Sequence, residues 1–233
     1  MGVVYRVEGV MIVVTAGCIS LRSGREVSFW ILFARALILA MVAVGATAQS
    51  YSQTTNSGAA VSIELRNNSE RERQTKAQLE RLLAAYDLRK YTFTHAVVID
   101  EQSIPHSHPV LTLHTRHLKQ DDELLSTYVH EQLHWYLDEH LDQTDAAEGD
   151  LRKIYPKVPV GYPDGANEEE STYLHLIDCY LEMEADRELL GPSRAAAVMN
   201  FWAGDHYRWV YKTVMNDEST IRKVIEARHL NLK

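Results

Sequence analysis

The spacing of apolar residues along the chain predicts helices and short strands. Four apolar residues recur at helical intervals within residues 70–88 and predict a helix there: Leu79, Leu82, Leu83 and Tyr86. Aromatic and β-branched residues dominate residues 91–99, and residues 109–115 alternate in character, so both segments are predicted to be strands. Three later helices are predicted over residues 168–190, from Ser193 onward and over residues 218–229.

Two other stretches are predicted to lack regular structure. Residues 49–69 are rich in Ser, Thr, Asn and Gln, a composition typical of a flexible linker. Residues 142–167 contain three Pro and three Gly, and a loop of this length in a compact domain is usually functional or mobile. We therefore expect one folded domain over residues 70–233, which includes this long loop.

The apolar pattern also predicts a helix that carries two histidines. An apolar stripe at intervals of four, four and three is formed by Leu125, Val129, Leu133 and Tyr136. Acidic residues at positions 121–123 suit the first turn of such a helix. His130, Glu131 and His134 fall on a different side of the helix, and they form the motif H-E-x-x-H.

The spacing of this motif favours a metal centre. Positions four apart lie on one helix face, so the imidazoles of His130 and His134 can reach a single ion. Catalytic Zn2+ takes neutral nitrogen ligands and keeps one position open for water. Glu131 lies beside the histidines and can deprotonate that water. We therefore expect one Zn2+ ion, with His130 and His134 as ligands and Glu131 as the catalytic base.

A third protein ligand is needed, and His140 is one candidate. It follows His134 at the spacing of the longer motif H-E-x-x-H-x-x-G-x-x-H. That motif needs its glycine to break the helix and return the last histidine to the metal. Leu137 occupies the glycine position and favours an unbroken helix, so His140 is not expected to reach the metal.

The other two candidates, His175 and Glu182, share the predicted helix over residues 168–190. Steps of three or four keep them near one face, in a polar line with Asp178 and Asp186. His175 and Glu182 are two turns apart, about 10.5 Å along the axis, so one zinc ion is not expected to bind both. Spacing alone leaves the choice between them open.

The segment Glu182-Met183-Glu184-Ala185-Asp186 resembles the E-x-x-A-D element of gluzincin metallopeptidases. It is similar to that of the CAAX-type prenyl endopeptidases and their stress-response relatives, although the resemblance covers only the two helices. It implies that Glu182 is the third zinc ligand and that Asp186 supports a ligand histidine. His175 would then be free for a catalytic role, as a hydrogen-bond donor to the tetrahedral oxyanion.

The resemblance and the predicted elements together imply an α+β, zincin-like fold: a small sheet, an H-E-x-x-H helix and a second ligand-bearing helix. In zincins the strand before the metal helix usually borders the cleft, which implies this place for residues 110–115. The preceding turn contains His106 and His108, which could line the cleft, bind a second metal or only pack. Tyr207 and Tyr211 are weaker candidates for the oxyanion donor, because packing in the core explains them better.

The pattern of the N-terminal 48 residues predicts a targeting region. Residues 36–46 form an uncharged apolar run preceded by Arg35, and Ala46-Thr47-Ala48 fits a signal-peptidase site. We therefore expect residues 1–48 to be removed near Ala48, leaving a secreted or periplasmic chain without a stable membrane span. This region is longer than an ordinary signal peptide, so we expect translation to start downstream of Met1.

Charge and cysteine content exclude some functions. Residues 1–48 hold four of the 24 basic and two of the 32 acidic residues, so the remainder carries a net charge of −10. This acidity disfavours binding to nucleic acid. Cys179 is the only cysteine after residue 48, which excludes an internal disulfide and a zinc site built from several thiolates.

The sequence thus predicts a zinc-dependent metallopeptidase that acts on a peptide or protein substrate. Two alternatives stay open. The chain could be a non-catalytic binding protein stabilised by zinc, although Glu131 argues against this, because a purely structural site needs no base. It could also be a metal hydrolase of a non-peptide amide or ester, which the sequence does not separate from a peptidase.

Overall fold

The computed structural model describes residues 3–7, 10–15, 18–20 and 60–232, which fall into two compact units. In the first unit, residues 1–53, an antiparallel sheet is formed in order by β1 (Val3–Val7), β2 (Val10–Thr15) and β3 (Cys18–Ser20). The apolar run and the cleavage pattern predicted at residues 36–48 lie outside the described residues.

The second unit, residues 54–233, contains a small parallel sheet. Its strands are β4 (Ser62–Leu65), β5 (Ala96–Ile99) and β6 (Leu111–Leu113), in that order across the sheet. Ile63 pairs with Val97, which pairs with Leu111, and all three side chains are buried. The prediction of a flexible linker over residues 49–69 is therefore wrong at β4, because Ile63 packs in the core.

The described residues of this second unit also form seven α-helices. They are α1 (Glu70–Ala85), α2 (Asp121–Glu139), α3 (Leu141–Ile154), α4 (Glu169–Leu190), α5 (Pro192–Asp205), α6 (Arg208–Asn216) and α7 (Glu218–Ala227). A short 3-10 helix, Arg89–Tyr91, lies before β5. Within the part of the chain that the structure describes, no helix combines the length and the apolar character needed to cross a membrane. The prediction of an α+β fold is confirmed.

Helix α3 occupies much of the segment that was predicted to be a long loop. Its buried residues recur at helical spacing: Thr144, Ala147, Glu148 and Leu151. Gly149 suggested a loop, yet it sits inside the helix, where a single glycine costs only about 1 kcal/mol relative to alanine. The loop prediction for residues 142–167 is therefore wrong over α3, and only residues 155–168 connect α3 to α4 without a helix.

Helix α4 is the central element of this unit. It packs against α2, α3, α5, α6 and α7. It ends at Leu190, as the sequence predicts, and is followed by Gly191, whose φ of 81° suits glycine. Pro192 begins α5, one residue before the helix start predicted at Ser193. Because α4 is covered on several sides, its polar line is buried: Asp178, Glu182 and Asp186 are each at most 1% exposed.

Candidate metal centre

Helices α2 and α4 bring three histidine rings together. His130 and His134, one turn apart on α2, face His175 on α4, and one nitrogen of each lies within 4.8 Å of the others. The ring centroids are 5.1 Å apart for His130 and His134, 5.2 Å for His134 and His175, and 5.6 Å for His130 and His175. Imidazoles on one tetrahedral zinc, with Zn–N near 2.0–2.1 Å, have ring centroids about 5 Å apart. The three rings therefore have the mutual spacing of a metal site.

The second nitrogen of two of these rings is already held by the protein. Nδ1 of His175 lies 2.6 Å from the backbone carbonyl oxygen of Ser171, and Nδ1 of His130 lies 3.1 Å from Oε2 of Glu182. A carbonyl and a carboxylate can only accept, so each Nδ1 carries the proton. This leaves Nε2 of His130 and His175 as the lone-pair nitrogen, the arrangement found in ligand histidines with a supporting acceptor.

Glu182 is buried among hydrogen-bond donors behind His130. Its Oε1 accepts from the Ser126 hydroxyl at 2.5 Å, and its Oε2 accepts from the Tyr211 hydroxyl at 2.9 Å as well as from His130. Both carboxylate oxygens thus have protein partners. Both lone pairs of Oε2 are used, by Tyr211 and His130, so this oxygen would have to give up a hydrogen bond to coordinate a metal, and as it stands it supports His130.

A proton count extends the network to Asp186. The Ser126 hydroxyl has one proton, which Glu182 accepts, and Ser126 also lies 2.9 Å from Oδ2 of Asp186. Asp186 must then donate, which requires a protonated carboxyl. Burial, followed by the charge of Glu182, raises the pKa of Asp186 well above its usual value, in agreement with this count. The indole N–H of Trp202 donates to Ser126 at 3.1 Å and completes its hydrogen bonding.

Asp178 provides the clearest sign that the cluster fits a cation. Its side chain is 0% exposed. Among the described residues, no donor makes a hydrogen bond of acceptable angle to either of its carboxylate oxygens, although one donor atom is close. Its Oδ2 lies 2.7 Å from Nδ1 of His130 and 3.9 Å from Nε2 of His134. Buried carboxylates are normally hydrogen-bonded, paired with a cation or bound to a metal. A cation at the three rings would compensate this charge.

The protonation states of the cluster suit the same interpretation. Burial lowers the pKa of His175 to about 3, and burial also lowers the pKa of His134, so both rings are neutral. Burial opposes protonation of His130, but the adjacent Asp178 charge raises its pKa well above the usual value. With no metal, His130 is therefore the cationic partner of the buried carboxylates.

The three histidines open onto a cleft of about 520 Å3. Glu131 also lines the cleft, and burial raises its pKa to about 8. The cleft is also lined by Trp202, Tyr207 and Tyr211. Tyr207 has a left-handed backbone, with φ of 47°, and its ring centroid lies 4.2 Å from that of His175. A non-glycine residue in this conformation is strained and is often found at functional sites.

Sequence reasoning located most of this cluster but not all of it. His140 caps the end of α2, where its Nδ1 lies 2.8 Å from the Tyr136 carbonyl oxygen, and it is not one of the three grouped histidines. Ser126 and Trp202, which support Glu182, were not anticipated. Ser126 lies four residues before His130, and this spacing could have identified it as a neighbour on the same helix face.

The cleft border differs from the sequence prediction. Residues 104–107 line the cleft, whereas none of residues 110–115 does. His106 forms an antiparallel bridge with Thr112 and so covers the outer edge of β6. His106 faces the cleft, but His108 stacks on Trp135, with its Nε2 3.1 Å from Asp138 Oδ2.

Comparison of this chain with protein-family models, curated proteins and solved structures gave no match. Its function must therefore be inferred from the residues of the cleft. They include a buried cluster of histidine and carboxylate side chains that could bind a metal ion: His130, His134, His175, Asp178 and Glu182.

Proposed function

We propose that this chain is a metal-dependent hydrolase, and specifically a zinc metallopeptidase, with His130, His134 and His175 as the metal ligands. The observation that carries the proposal is the arrangement of three imidazole rings with centroids 5.1–5.6 Å apart at the base of an open cleft. Three nitrogen ligands with a free fourth position are the donor set of a catalytic zinc site.

This assignment gives His175 the third ligand position, which the gluzincin resemblance implies for Glu182. Nδ1 of His175 is held by Ser171, which leaves Nε2 for the metal, whereas both oxygens of Glu182 accept hydrogen bonds from neighbouring side chains. Glu182 then orients His130 and strengthens it as a ligand, a role usual for a carboxylate behind a ligand histidine. A three-histidine site is the alternative that helix spacing leaves open.

Glu131 is the proposed general base. It follows His130 directly in the chain, is 5% exposed and lines the same cleft. A bound zinc ion would polarise the scissile carbonyl and acidify a water molecule. Glu131 would take one proton from that water as its oxygen attacks the carbonyl carbon. The same proton would pass to the amide nitrogen as the C–N bond breaks, so the products are a carboxylic acid and an amine.

Tyr207 is the proposed donor to the tetrahedral oxyanion. With His175 assigned to the metal and Tyr211 donating to Glu182, Tyr207 is the remaining candidate that the sequence suggested. Its side chain lines the cleft and packs against His175, where its hydroxyl could donate to an oxyanion. The aromatic pattern of the sequence favoured core packing for this residue, and its place in the cleft favours a functional role.

The fold supports this proposal at a coarse level. The small parallel sheet and the helices α2 and α4 make up an α+β domain, the class to which the expected zincin-like fold belongs. A peptide substrate and a secreted or periplasmic location remain parts of the proposal that come from the sequence alone.

The second candidate function is metal-stabilised binding without turnover. It is disfavoured because Glu131 and Tyr207 line an open cleft, whereas a structural zinc site is closed by four protein ligands. Hydrolysis of a non-peptide amide or ester would use the same residues. Only an assay that compares substrates distinguishes this activity from peptide hydrolysis.

The proposal is tested with purified protein loaded with zinc, its metal content measured, and a peptide library analysed by mass spectrometry. We expect about one zinc per chain and cleavage that a chelator abolishes. Glu131→Gln keeps the shape of the side chain but accepts no proton, so it should retain zinc and lose about 10²–10⁴-fold in rate. Full activity of a zinc-loaded Glu131→Gln protein would rule out this mechanism.

A further inference from the structure

The ionic groups of the cleft are already paired. Arg116 is the cleft's only Arg or Lys among the described residues, and it donates to both oxygens of Asp205, at 2.7 and 3.1 Å. His206 also binds Asp205, with its Nδ1 2.8 Å from Oδ2. A bidentate pair of this kind leaves little charge for a ligand. Among the described residues of the cleft, no Arg or Lys is therefore left unpaired for a substrate carboxylate at the chain end.

The acidic groups are likewise committed. Glu182 accepts from Ser126, Tyr211 and His130, and Asp205 accepts from Arg116 and His206. Glu131 lies next to the metal ligands and is assigned to the attacking water. Among the described cleft residues, none of these carboxylates is free to bind the ammonium group of a peptide N-terminus.

Apolar side chains, by contrast, stand exposed at the rim. Ile104 is 80% exposed and Tyr162 is 76% exposed, and both line the cleft from separate loops. Val160, at 56%, lies on the same loop as Tyr162. The other large apolar residues exposed in the described part of the chain are Leu141 and Ile154, at the two ends of α3. Exposed apolar groups that cluster at a cleft indicate a ligand that covers them.

Both rim residues are held by structured backbone. The loop of Tyr162 is closed by hydrogen bonds from Gly161 N to Ala166 O, at 2.6 Å, and from Arg208 N to Pro163 O, at 2.9 Å. Ile104 precedes His106, which is paired in both directions with Thr112 at the edge of β6. The two side chains are therefore presented at fixed places, and binding there costs little loop ordering.

We infer that the cleft takes an internal segment of an extended polypeptide, with large apolar side chains that contact Ile104 and Tyr162, rather than a free chain end. This inference rests on the proposed function, because it places the scissile bond at the three histidines. The charged groups of the described cleft residues are already paired with each other, so the exposed apolar side chains are the groups left to bind a substrate. The chain is then an endopeptidase that prefers apolar segments.

The test compares Ile104→Ser and Tyr162→Ser with the matched control Leu141→Ser, which also removes an exposed apolar side chain but lies away from the cleft. Substrates are peptides blocked by acetyl and amide groups, with apolar or with polar residues around the cleaved bond. We expect each rim variant to raise KM for apolar peptides about tenfold, with kcat unchanged, because burial of one apolar side chain is worth about 1.5 kcal/mol or more. Leu141→Ser should behave as wild type.

Two outcomes would overturn the inference. One is the release of single residues from free chain ends with no cleavage of blocked peptides. The other is equal KM for the two rim variants and Leu141→Ser. If no peptide is hydrolysed at all, the proposed function fails separately. The inference can then still be tested by the binding of blocked, fluorescent apolar peptides to zinc-loaded Glu131→Gln protein, with and without each rim substitution or Leu141→Ser. Weaker binding by the two rim variants alone supports the inference, and equal binding by all variants refutes it.

Discussion

The backbone carbonyl oxygen of Ser171 lies 2.6 Å from Nδ1 of His175, one turn further along α4. A carbonyl oxygen cannot donate, so this contact fixes the proton on Nδ1 and leaves the lone pair of His175 on Nε2. Because the ring is also 6% exposed and packed against Tyr207, it has little freedom to turn. The geometry thus leaves Nε2 of His175 available to a metal ion.

Loss of His175 should therefore release the metal, while loss of the Glu182 charge should only weaken binding. We expect His175→Ala to abolish stoichiometric zinc binding and Glu182→Gln to lower zinc affinity about 10–100-fold, the range typical of residues that support a ligand. Competition titration with a chromogenic chelator gives both affinities. The reverse order, with metal retained by His175→Ala and lost by Glu182→Gln, would restore the ligand set of the gluzincin resemblance.

Zinc should stabilise the folded chain, because the three proposed ligands lie on α2 and α4, which come together only when the chain folds. Free zinc at about 1,000 times its Kd adds roughly 4 kcal/mol to the free energy of unfolding, or roughly 10 °C in Tm. Glu131→Gln should show the same shift, since Glu131 is not a ligand. Differential scanning calorimetry with zinc and with chelator measures it. A Tm that does not respond to zinc would contradict a site built from α2 and α4.

Gly165 should be intolerant of any side chain, since a Cβ there would lie 2.1 Å from the backbone oxygen of Pro159. We expect Gly165→Ala to lower the free energy of unfolding by about 1–3 kcal/mol through overpacking of the cleft loop. Gly149→Ala is the matched control: it lies inside α3 with no atom within 4 Å of the new Cβ, and it should stabilise by about 0.5–1 kcal/mol. Urea denaturation of both variants should therefore give shifts of opposite sign, and equal shifts would refute the expected strain.

His117 should make the fold less stable in acid. Burial lowers the pKa of His117 to about 4, Arg116 lowers it further, and Gln120 and Asp205 oppose the shift. The unfolded chain then takes up this proton first, near pH 6.5, so stability falls as the pH drops from about 6.5 to 4, by about 3 kcal/mol in total.

Replacement of His117 by Gln should remove this part of the pH dependence. Urea denaturation at several pH values between 4 and 7 measures the free energy of unfolding for wild type and variant. His95→Gln, at an exposed position, is the control and should keep the wild-type slope. If His117→Gln and wild type lose stability in parallel on acidification, the ring is not the group that titrates.

The local elements of the site follow from the amino-acid sequence alone. The interval of four places His130 and His134 on one face of α2 whatever the rest of the chain does, because α-helical geometry is set by the backbone. Gly191 and Pro192 end α4 where the sequence predicts, since glycine tolerates a φ of 81° and proline favours the first turn of a new helix. The polar line of α4 could likewise be read from its spacing.

Which residue of that line lies beside the two histidines could not be predicted from local spacing. His175 and Glu182 lie on one helix two turns apart, so the choice depends on where α4 crosses α2, and this is set by side-chain packing between distant segments. The strand β4 was missed for the same reason, because Ile63 is buried only when it pairs beside Val97. Local spacing fixes the face of an element, whereas long-range packing fixes which faces come together.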